Sequence, residues 1–262
     1  MPLPGPRRFG EGRPRSVPSG SGKCRFRIFG TARSTEIKSI GEQSISAITK
    51  YGANTVFKIS LLAAIILTGV MILLRNDALK YTIAACIVAG FLLVLNFFRD
   101  PERAVPTGDD LVVSPADGRV VAIREVFEEE FLKLPAVQIS IFMSPLDVHV
   151  NRFPMSGRIA YFRHVPGDHG AAYADKSSDR NERTHMGIES GGRRLFLKQI
   201  AGAVARRIVA DVQVGQAAII GARFGMIKFG SRVDVIMPKQ SVVKIALHDR
   251  VVAGETILAT LA

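Results

Sequence analysis

Residues 56–74 read VFKISLLAAIILTGVMILL and residues 81–98 read YTIAACIVAGFLLVLNFF, with only the polar link RNDALK between them. Both runs are apolar on every side instead of having one polar face, which is typical of helices surrounded by lipid. Their lengths approach the roughly 17 to 25 residues that cross a bilayer. The sequence therefore predicts a membrane-associated helical hairpin over residues 56–98, which either spans the bilayer or embeds in it. A buried helical pair in a soluble core is the alternative.

The segment before the hairpin, residues 1–50, is rich in Gly, Pro, Ser and Arg and lacks an apolar period. This composition predicts a disordered basic tail. It also lacks the charged start, apolar core and small-residue cleavage site of a signal peptide. Because basic segments tend to stay in the cytoplasm and a hairpin returns the chain to its starting side, we expect the C-terminal part to lie at the cytoplasmic face of the cell (inner) membrane.

The whole chain of 262 residues has a formal charge of +12, which favours an acidic partner. Nucleic acid and an anionic membrane surface both meet this requirement. The chain has no Trp, only four Tyr and no recognisable nucleic-acid-binding motif, so we expect a membrane and no nucleic-acid partner. The two cysteines have no spacing that indicates a disulfide or a metal site, and no metal is predicted.

After the hairpin, residues 99–262 contain short runs of Val and Ile broken by Gly, Asp and Pro every 8 to 12 residues or so. This texture predicts a mainly β domain, a short-stranded sandwich or barrel. The expected strands are 111–113, 119–123, 137–142, 205–209, 217–220, 233–236, 242–246 and 256–259. A faint similarity between residues 116–122 and 247–255 is of the kind seen in hammerhead-like halves.

Near the C-terminus, the segment GMIKFGSRVDVIMP, residues 225–238, places the pair Gly230-Ser231 between two apolar stretches. Glycine permits unusual backbone angles and close approach to its carbonyl. By itself the pair is most simply a turn between two strands.

Two further motifs accompany this pair, VVSPADG at residues 112–118 and FMSPLDVHVNRFP at residues 142–154. Together with NFFRDP at residues 96–101 and DKSSDRNER at residues 175–183, they resemble phosphatidylserine decarboxylases, most closely the short bacterial and archaeal form of that family. The resemblance runs from about residue 97 to the C-terminus.

The resemblance implies a proenzyme that cuts itself between Gly230 and Ser231. Residues 1–230 would form a large chain and residues 231–262 a small chain that stays with it as a partner. Ser231 would become a covalent pyruvoyl group, the pyruvate cofactor. No ordinary side chain offers such an electrophilic carbonyl, which would condense with the serine headgroup and accept the electrons released with CO2. The products would be phosphatidylethanolamine and CO2.

The candidate catalytic residues are Ser231, His149 and Asp117. A serine needs a base, and a base needs a group that orients it. As alternatives, Asp117 is a turn residue in Ala-Asp-Gly and His149 a half-buried strand residue. Longer members of the family carry a second His where this chain has Arg152, which is no practical proton acceptor. The base is therefore left open among His149, His169 and His185.

The polar segment over residues 167–184 is predicted to be a functional loop at the substrate entrance. Lys176, Ser177, Asn181 and Arg183 are a suitable set for a phosphodiester or a carboxylate, with Arg183 the preferred anion ligand. A solvated charged surface loop is the alternative.

Two other functions stay open on the sequence. One is a pyruvoyl-dependent decarboxylase of a free amino acid, which the hairpin disfavours because a soluble substrate gives no reason to hold the site at a bilayer. The other is a membrane-tethered, non-catalytic lipoyl-like binding module, which predicts an uncut chain. The sequence does not fix the oligomeric state, and a homo-oligomer is compatible with it.

Overall fold

A computed structural model describes residues 47–167, 181–202, 207–228 and 230–262. Its first two elements are the helices α1, Ala53–Leu73, and α2, Asp77–Phe97. The Asn76 side chain caps α2 by accepting a hydrogen bond from the Leu79 amide at 3.1 Å. Each helix has 21 residues and is therefore about 31 Å long, the thickness of a bilayer core.

Both helices begin three to four residues before the apolar runs that predicted them, because their first turns are polar. Their most apolar windows are almost entirely exposed, with 6% of the α1 window and none of the α2 window buried inside the protein. The described residues thus contain two helices that are long and apolar enough to cross a membrane. A helical pair buried in a soluble core would hide these surfaces.

The other regular elements of the described chain are all strands, which confirms the predicted mainly β domain after the helices. The strands are β1 Leu111–Val113, β2 Gly118–Glu128, β3 Leu134–Met143, β4 Val150–Arg152, β5 Gly157–Val165, β6 Arg183–Ser190, β7 Arg193–Ala201, β8 Ile208–Ala210, β9 Ala217–Ala218, β10 Arg223–Ile227, β11 Ser231–Pro238, β12 Val242–Val243, β13 Arg250–Val251 and β14 Ile257–Thr260.

Eight of the strands form one antiparallel sheet in the order β13-β2-β3-β11-β7-β6-β5-β9. Two three-stranded sheets, β1-β14-β12 and β4-β10-β8, complete the domain. The segments 116–122 and 247–255, which resemble each other in sequence, lie side by side, because β13 pairs with β2 through Arg250 opposite Arg119.

Two features of the sheet differ from the expectation. β2 and β3 have 11 and 10 residues and are longer than the short strands that were predicted. β5, β6 and β7 were not predicted as strands, because one of their faces carries charged residues that interrupt the apolar signal. These three strands form almost half of the large sheet.

The main hydrophobic core lies against one face of the large sheet. Alternate residues of a strand point to opposite faces, so Ser231, Val233 and Val235 of β11 point into this core. Met143 at the end of β3 belongs to the same core. The start of β11 is therefore held between two neighbouring strands and is closed to solvent.

The hairpin packs against the β domain through the start of α1 and the end of α2. Val56, Phe97, Phe98 and Met226 form a small cluster at this base. The Thr49 amide also donates a hydrogen bond to the Phe98 carbonyl at 2.9 Å. The base of the hairpin therefore lies directly beside β10, the strand that leads to the Gly230-Ser231 pair.

Candidate active site

The Gly230-Ser231 pair lies at the turn where the chain enters β11. Gly230 has φ +42°, in the left-handed region that glycine adopts without steric cost. Ser231 is the first residue of β11, is fully buried, and pairs with Met143 of β3 and Ala201 of β7. A glycine in the left-handed conformation thus precedes a serine that two strands hold in place.

The Ser231 hydroxyl has a sulfur atom as its acceptor. Its Oγ lies 3.3 Å from the Met143 thioether sulfur. The Asn151 side-chain amide lies 3.8 Å from the same sulfur. Because a thioether is a weak acceptor, this contact orients the hydroxyl without strongly holding its proton.

A buried chain of polar side chains continues from Asn151. The Gln199 amide donates to Asn151 Oδ1 at 2.8 Å, and the Thr184 hydroxyl donates to Gln199 Oε1 at 2.6 Å. All three side chains are buried, where an unpaired polar atom is costly, so the chain fixes the position of Asn151. Sequence reasoning missed these residues and Met143, although two of them lie in the FMSPLDVHVNRFP motif.

His149 is fully buried beside the strand that leads to the turn. Its Nδ1 lies 2.9 Å from the Asp147 carbonyl oxygen. A carbonyl can only accept, so Nδ1 carries the hydrogen and Nε2 presents a lone pair. Nε2 is buried and has no hydrogen-bond partner among the described residues. The arrangement is that of a neutral imidazole with a free basic nitrogen.

The position of His149 is fixed on several sides. The Phe97 ring of α2 lies 4.4 Å from the imidazole, centroid to centroid. The Ile227 amide of β10 donates to the His149 carbonyl at 3.4 Å. The Asp147 carboxylate accepts hydrogen bonds from the Ser144 amide and from Arg250, which fixes the turn that carries the Asp147 carbonyl.

Burial lowers the pKa of His149 from 6.5 to about 4, and the Asp147 carbonyl only partly opposes this effect. The imidazole is therefore neutral across the physiological pH range. A neutral histidine with a free nitrogen is able to accept a proton.

Asp117 has different neighbours. Its Oδ2 accepts from Arg103 at 2.7 Å, and its Oδ1 accepts from the Ala253 amide at 2.8 Å. Burial raises the pKa of the Asp117 carboxyl, while Ala253 and Arg103 oppose the rise. In the described part of the chain, no hydrogen bond or ion pair joins Asp117 to His149 or to Ser231. The three predicted catalytic residues are thus not linked as a hydrogen-bonded triad.

Arg152 anchors the segment that follows the hairpin. Its guanidinium donates to Asp100 at 3.0 Å and to the Pro101 and Gly221 carbonyls, both at 2.9 Å. Arg223 binds the other oxygen of the buried Asp100 carboxylate at 2.6 Å. Arg152 and Arg223 together neutralise and hold the buried Asp100 carboxylate, so the role of Arg152 is structural.

The predicted substrate ligands lie partly within the described residues. Asn181 is fully buried, and its amide donates to the Ala201 carbonyl at 2.6 Å, one strand away from Ser231. Arg183 is half-buried, and its guanidinium donates to the Asn181 carbonyl. Lys176 and Ser177 lie outside the described residues, as does His169.

His185 lies on the other face of the large sheet. It follows Thr184, which faces the Asn151 chain, and adjacent strand residues point to opposite faces. Its Nδ1 contacts Glu130 Oε2 at 2.6 Å. This position separates it from Ser231 by the thickness of the sheet.

Several known proteins are similar in sequence to this chain over most of its described residues. A family described as phosphatidylserine decarboxylase matches residues 91–259. A phosphatidylserine decarboxylase proenzyme of Chlorobium luteolum is 43% identical over 213 residues, which cover 81% of this chain and 99% of the relative. A protein of the same name from Symbiobacterium thermophilum is 48% identical over 177 residues, covering 67% of this chain and 82% of the relative. With the motifs and the buried serine in place, these matches assign the chain to the phosphatidylserine decarboxylase family.

Proposed function

We propose that this chain is a proenzyme that cuts itself between Gly230 and Ser231 and then decarboxylates phosphatidylserine to phosphatidylethanolamine at a membrane surface. The observation that carries the proposal is a buried serine directly after a left-handed glycine, in a domain that also holds a buried neutral histidine against β10, the strand before that glycine. Membership of a decarboxylase family whose relatives are named proenzymes supports it.

The cut uses only atoms of the chain and one water molecule. The Ser231 hydroxyl oxygen attacks the Gly230 carbonyl carbon, and the acyl group moves from the Ser231 nitrogen to the oxygen to give an ester. Loss of the Ser231 Cα proton breaks the Cβ–O bond, which leaves a Gly230 carboxylate and a dehydroalanine. The dehydroalanine rearranges to an imine, and water replaces its nitrogen, releasing ammonia and leaving the pyruvoyl group.

His149 is the base that we assign to this reaction. Its Nε2 lone pair has no partner within the described residues, and the low pKa of about 4 keeps it unprotonated at neutral pH. General bases of this kind contribute roughly 10²- to 10⁴-fold to a rate. During decarboxylation the same nitrogen accepts a proton from the substrate ammonium group and returns it to the substrate carbon after CO2 leaves. Asp117 supports the turn at Arg103 and Ala253 and acts as a positioning residue.

The surroundings of Ser231 fit the pyruvoyl group that the family implies. The residue lies in the dry core, and the Met143 sulfur beside it offers no amine that would consume a carbonyl. The group supplies an electrophilic carbonyl that accepts the electrons released with CO2. Asn151, which Gln199 holds by a hydrogen bond, contacts the Met143 sulfur and helps to fix that side chain.

The hairpin provides the membrane attachment. Its two exposed apolar helices match the thickness of a bilayer core, and the basic N-terminal segment favours the cytoplasmic side for the β domain. A positive chain near an anionic bilayer also raises the local concentration of an anionic lipid substrate.

Purified protein tests the proposal in two steps. We expect denaturing electrophoresis to separate residues 1–230 from residues 231–262, whereas the Ser231→Ala variant runs as one chain of 28.4 kDa. Ser140→Ala is the matched control, because Ser140 is a buried serine of the neighbouring strand β3, and this variant should be cut normally.

The second step measures CO2 release from phosphatidylserine vesicles and from free serine. Release from vesicles alone supports the lipid substrate. Preference for free serine would replace it with a decarboxylase of a free amino acid, and an uncut chain without CO2 release would favour a binding module.

A further inference from the structure

An apolar cleft of about 370 Å³ lies where the hairpin meets the β domain. Both helices, the 145–146 loop and the end of β10 contribute to it. Its lining includes Thr55, Ile59, Leu93, Phe97, Leu146 and Lys228. We call this feature the hairpin-base cleft. Its volume lies within the range of small-molecule sites in proteins, about 300 to 1,000 Å³.

The cleft opens onto the apolar outer surface of the hairpin. Leu93 of α2 is 61% exposed and Leu146 of the β domain is 66% exposed, so each would present a large apolar side chain to water in the absence of lipid. Arg99 joins the two walls by donating to the Leu146 carbonyl at 2.8 Å. The cleft is thus a continuation of the surface that faces lipid, reaching into the β domain.

One cation lies at the rim of the cleft. Lys228 directly follows β10 and is half-buried, and its ammonium forms no hydrogen bond or ion pair with any described side chain. A half-buried ammonium without a counter-ion is a suitable ligand for a phosphate oxygen. The other lining residues named above are uncharged, so Lys228 is the one charged side chain among them.

The cleft also lies next to the reacting groups. Lys228 is two residues before Gly230, and Phe97 lines the cleft while its ring lies 4.4 Å from that of His149. A lipid with its hydrocarbon in the cleft and its phosphate at Lys228 would therefore direct its headgroup toward the cleavage turn.

From these observations we propose that the hairpin-base cleft binds one acyl chain of a diacyl phospholipid, with Lys228 binding the headgroup phosphate. The proposal rests on the proposed function, because it names the site through which that lipid reaches Ser231. The lipid keeps most of its hydrocarbon in the bilayer, and only the first part of one chain enters the protein.

The direct test is photo-crosslinking in vesicles that contain phosphatidylserine with a diazirine on one acyl chain. We expect labelled peptides to map to Leu146 and Leu93, and Leu146→Glu to reduce labelling of both at least fivefold. Leu247→Glu is the matched control, because Leu247 is also an exposed leucine of the β domain, and it should label as the unchanged protein does. Labelling confined to the outer hairpin surface, for example at Leu61 and Leu73, would overturn the proposal.

A kinetic test distinguishes the acyl site from the phosphate site. Leu146→Glu should raise KM about tenfold for long-chain phosphatidylserine in mixed micelles and leave KM for the water-soluble dihexanoyl form unchanged. Lys228→Gln should raise KM for both forms about tenfold, Lys228→Arg should restore it, and Lys244→Gln on the exposed surface should not change it. Equal KM changes at both chain lengths for Leu146→Glu would contradict an acyl site.

Because the crosslinking signal needs no catalysis, the two proposals fail separately. Labelled cleft residues in a protein that releases no CO2 would refute the proposed function alone. Active protein without label in the cleft would refute this inference alone.

Discussion

The surroundings of His149 and of His185 are alike in several respects and differ in the one that matters for catalysis. Both imidazoles are buried, both contact an aromatic ring, and both have an Nε2 without a partner among the described residues. The Nδ1 of His149 faces the Asp147 carbonyl, whereas the Nδ1 of His185 faces the Glu130 carboxylate. A carbonyl fixes the tautomer without adding charge, while a carboxylate adds a charge that favours the imidazolium.

The partners of Glu130 extend this difference. Its carboxylate also accepts a hydrogen bond from the Tyr161 hydroxyl and an ion pair from Arg163 at 2.9 Å. These partners together hold the pKa of Glu130 below its usual value against the effect of burial. His185 therefore belongs to a charged cluster around Glu130, whereas His149 has only the Asp147 carbonyl at its Nδ1. The comparison teaches that position separates the two histidines, because His185 lies on the face of the sheet away from Ser231.

The largest expected effect is that of replacing each histidine in turn. His149→Gln should slow self-cleavage by roughly 10²- to 10⁴-fold, because it removes the general base and keeps a polar side chain. His185→Gln should leave the rate within about twofold. Cell-free synthesis followed by timed electrophoresis measures both. Equal losses in the two variants would show that the comparison is wrong.

The next effect is on pH dependence. The folded pKa of His149, about 4, lies below the unfolded value of 6.5, so the unfolded chain binds the proton first as the pH falls. The free energy of unfolding should therefore decrease by roughly 3 kcal/mol between about pH 6.5 and pH 4, and it should be unaffected by this group above that window. Denaturant unfolding of the Ser231→Ala protein at several pH values measures it.

In the Ser231→Ala protein, the additional change His149→Gln should reduce the decrease in the free energy of unfolding between about pH 6.5 and pH 4. Self-cleavage of the unchanged chain should be as fast at about pH 5.5 as at pH 7.5, whereas a base with an ordinary histidine pKa would lose about tenfold. A tenfold loss at about pH 5.5 would contradict the neutral, buried imidazole.

A smaller effect is expected at Met143. Met143→Leu keeps the volume but removes the acceptor of the Ser231 hydroxyl, a contact of about 1 kcal/mol, so cleavage should slow roughly fivefold. Met155→Leu is the matched control, since Met155 is a buried methionine of the same core. Its cleavage rate should not change. Thermal unfolding shows that both variants fold, and an unchanged rate for Met143→Leu would remove Met143 from the site.

The smallest effect concerns the other histidine cluster. Glu130→Gln should lower the pKa of His185 further, because the carboxylate that opposes the effect of burial is lost. We expect a destabilisation of about 1 to 3 kcal/mol and no change in cleavage, measured by denaturant unfolding and electrophoresis. Slower cleavage in a folded variant would connect the two histidine regions.

The sequence allowed the hairpin and the position of Ser231 to be predicted, because each is a local signal. Apolar runs of bilayer length identify helices without any tertiary information, and the GMIKFGSRVDVIMP motif is a short contiguous segment that covers the end of β10, the following turn and β11. β5 to β7 were not predicted as strands because charged or polar residues such as Arg163 and His185 alternate with their core residues and interrupt the apolar pattern.

The connections within the site could not be predicted for a different reason. The contact of Phe97 with His149 joins residues 52 positions apart by number, and that of Met143 with Ser231 spans 88 positions. Only the fold decides that Arg152 binds Asp100 and that Asp117 binds Arg103. A sequence motif identifies candidate residues. Which residues they contact depends on the pairing of β4 with β10 and of β3 with β11.

The mass of the small chain tests the central claim most directly. For the purified protein, mass spectrometry should find a fragment covering residues 231–262 that is lighter, by the mass of one ammonia, than a chain beginning with serine. The His149→Gln protein, analysed at the same time after synthesis, should be mostly uncut. An intact chain of 28.4 kDa, or a small chain that begins with an unmodified Ser231, would contradict self-cleavage to a pyruvoyl group.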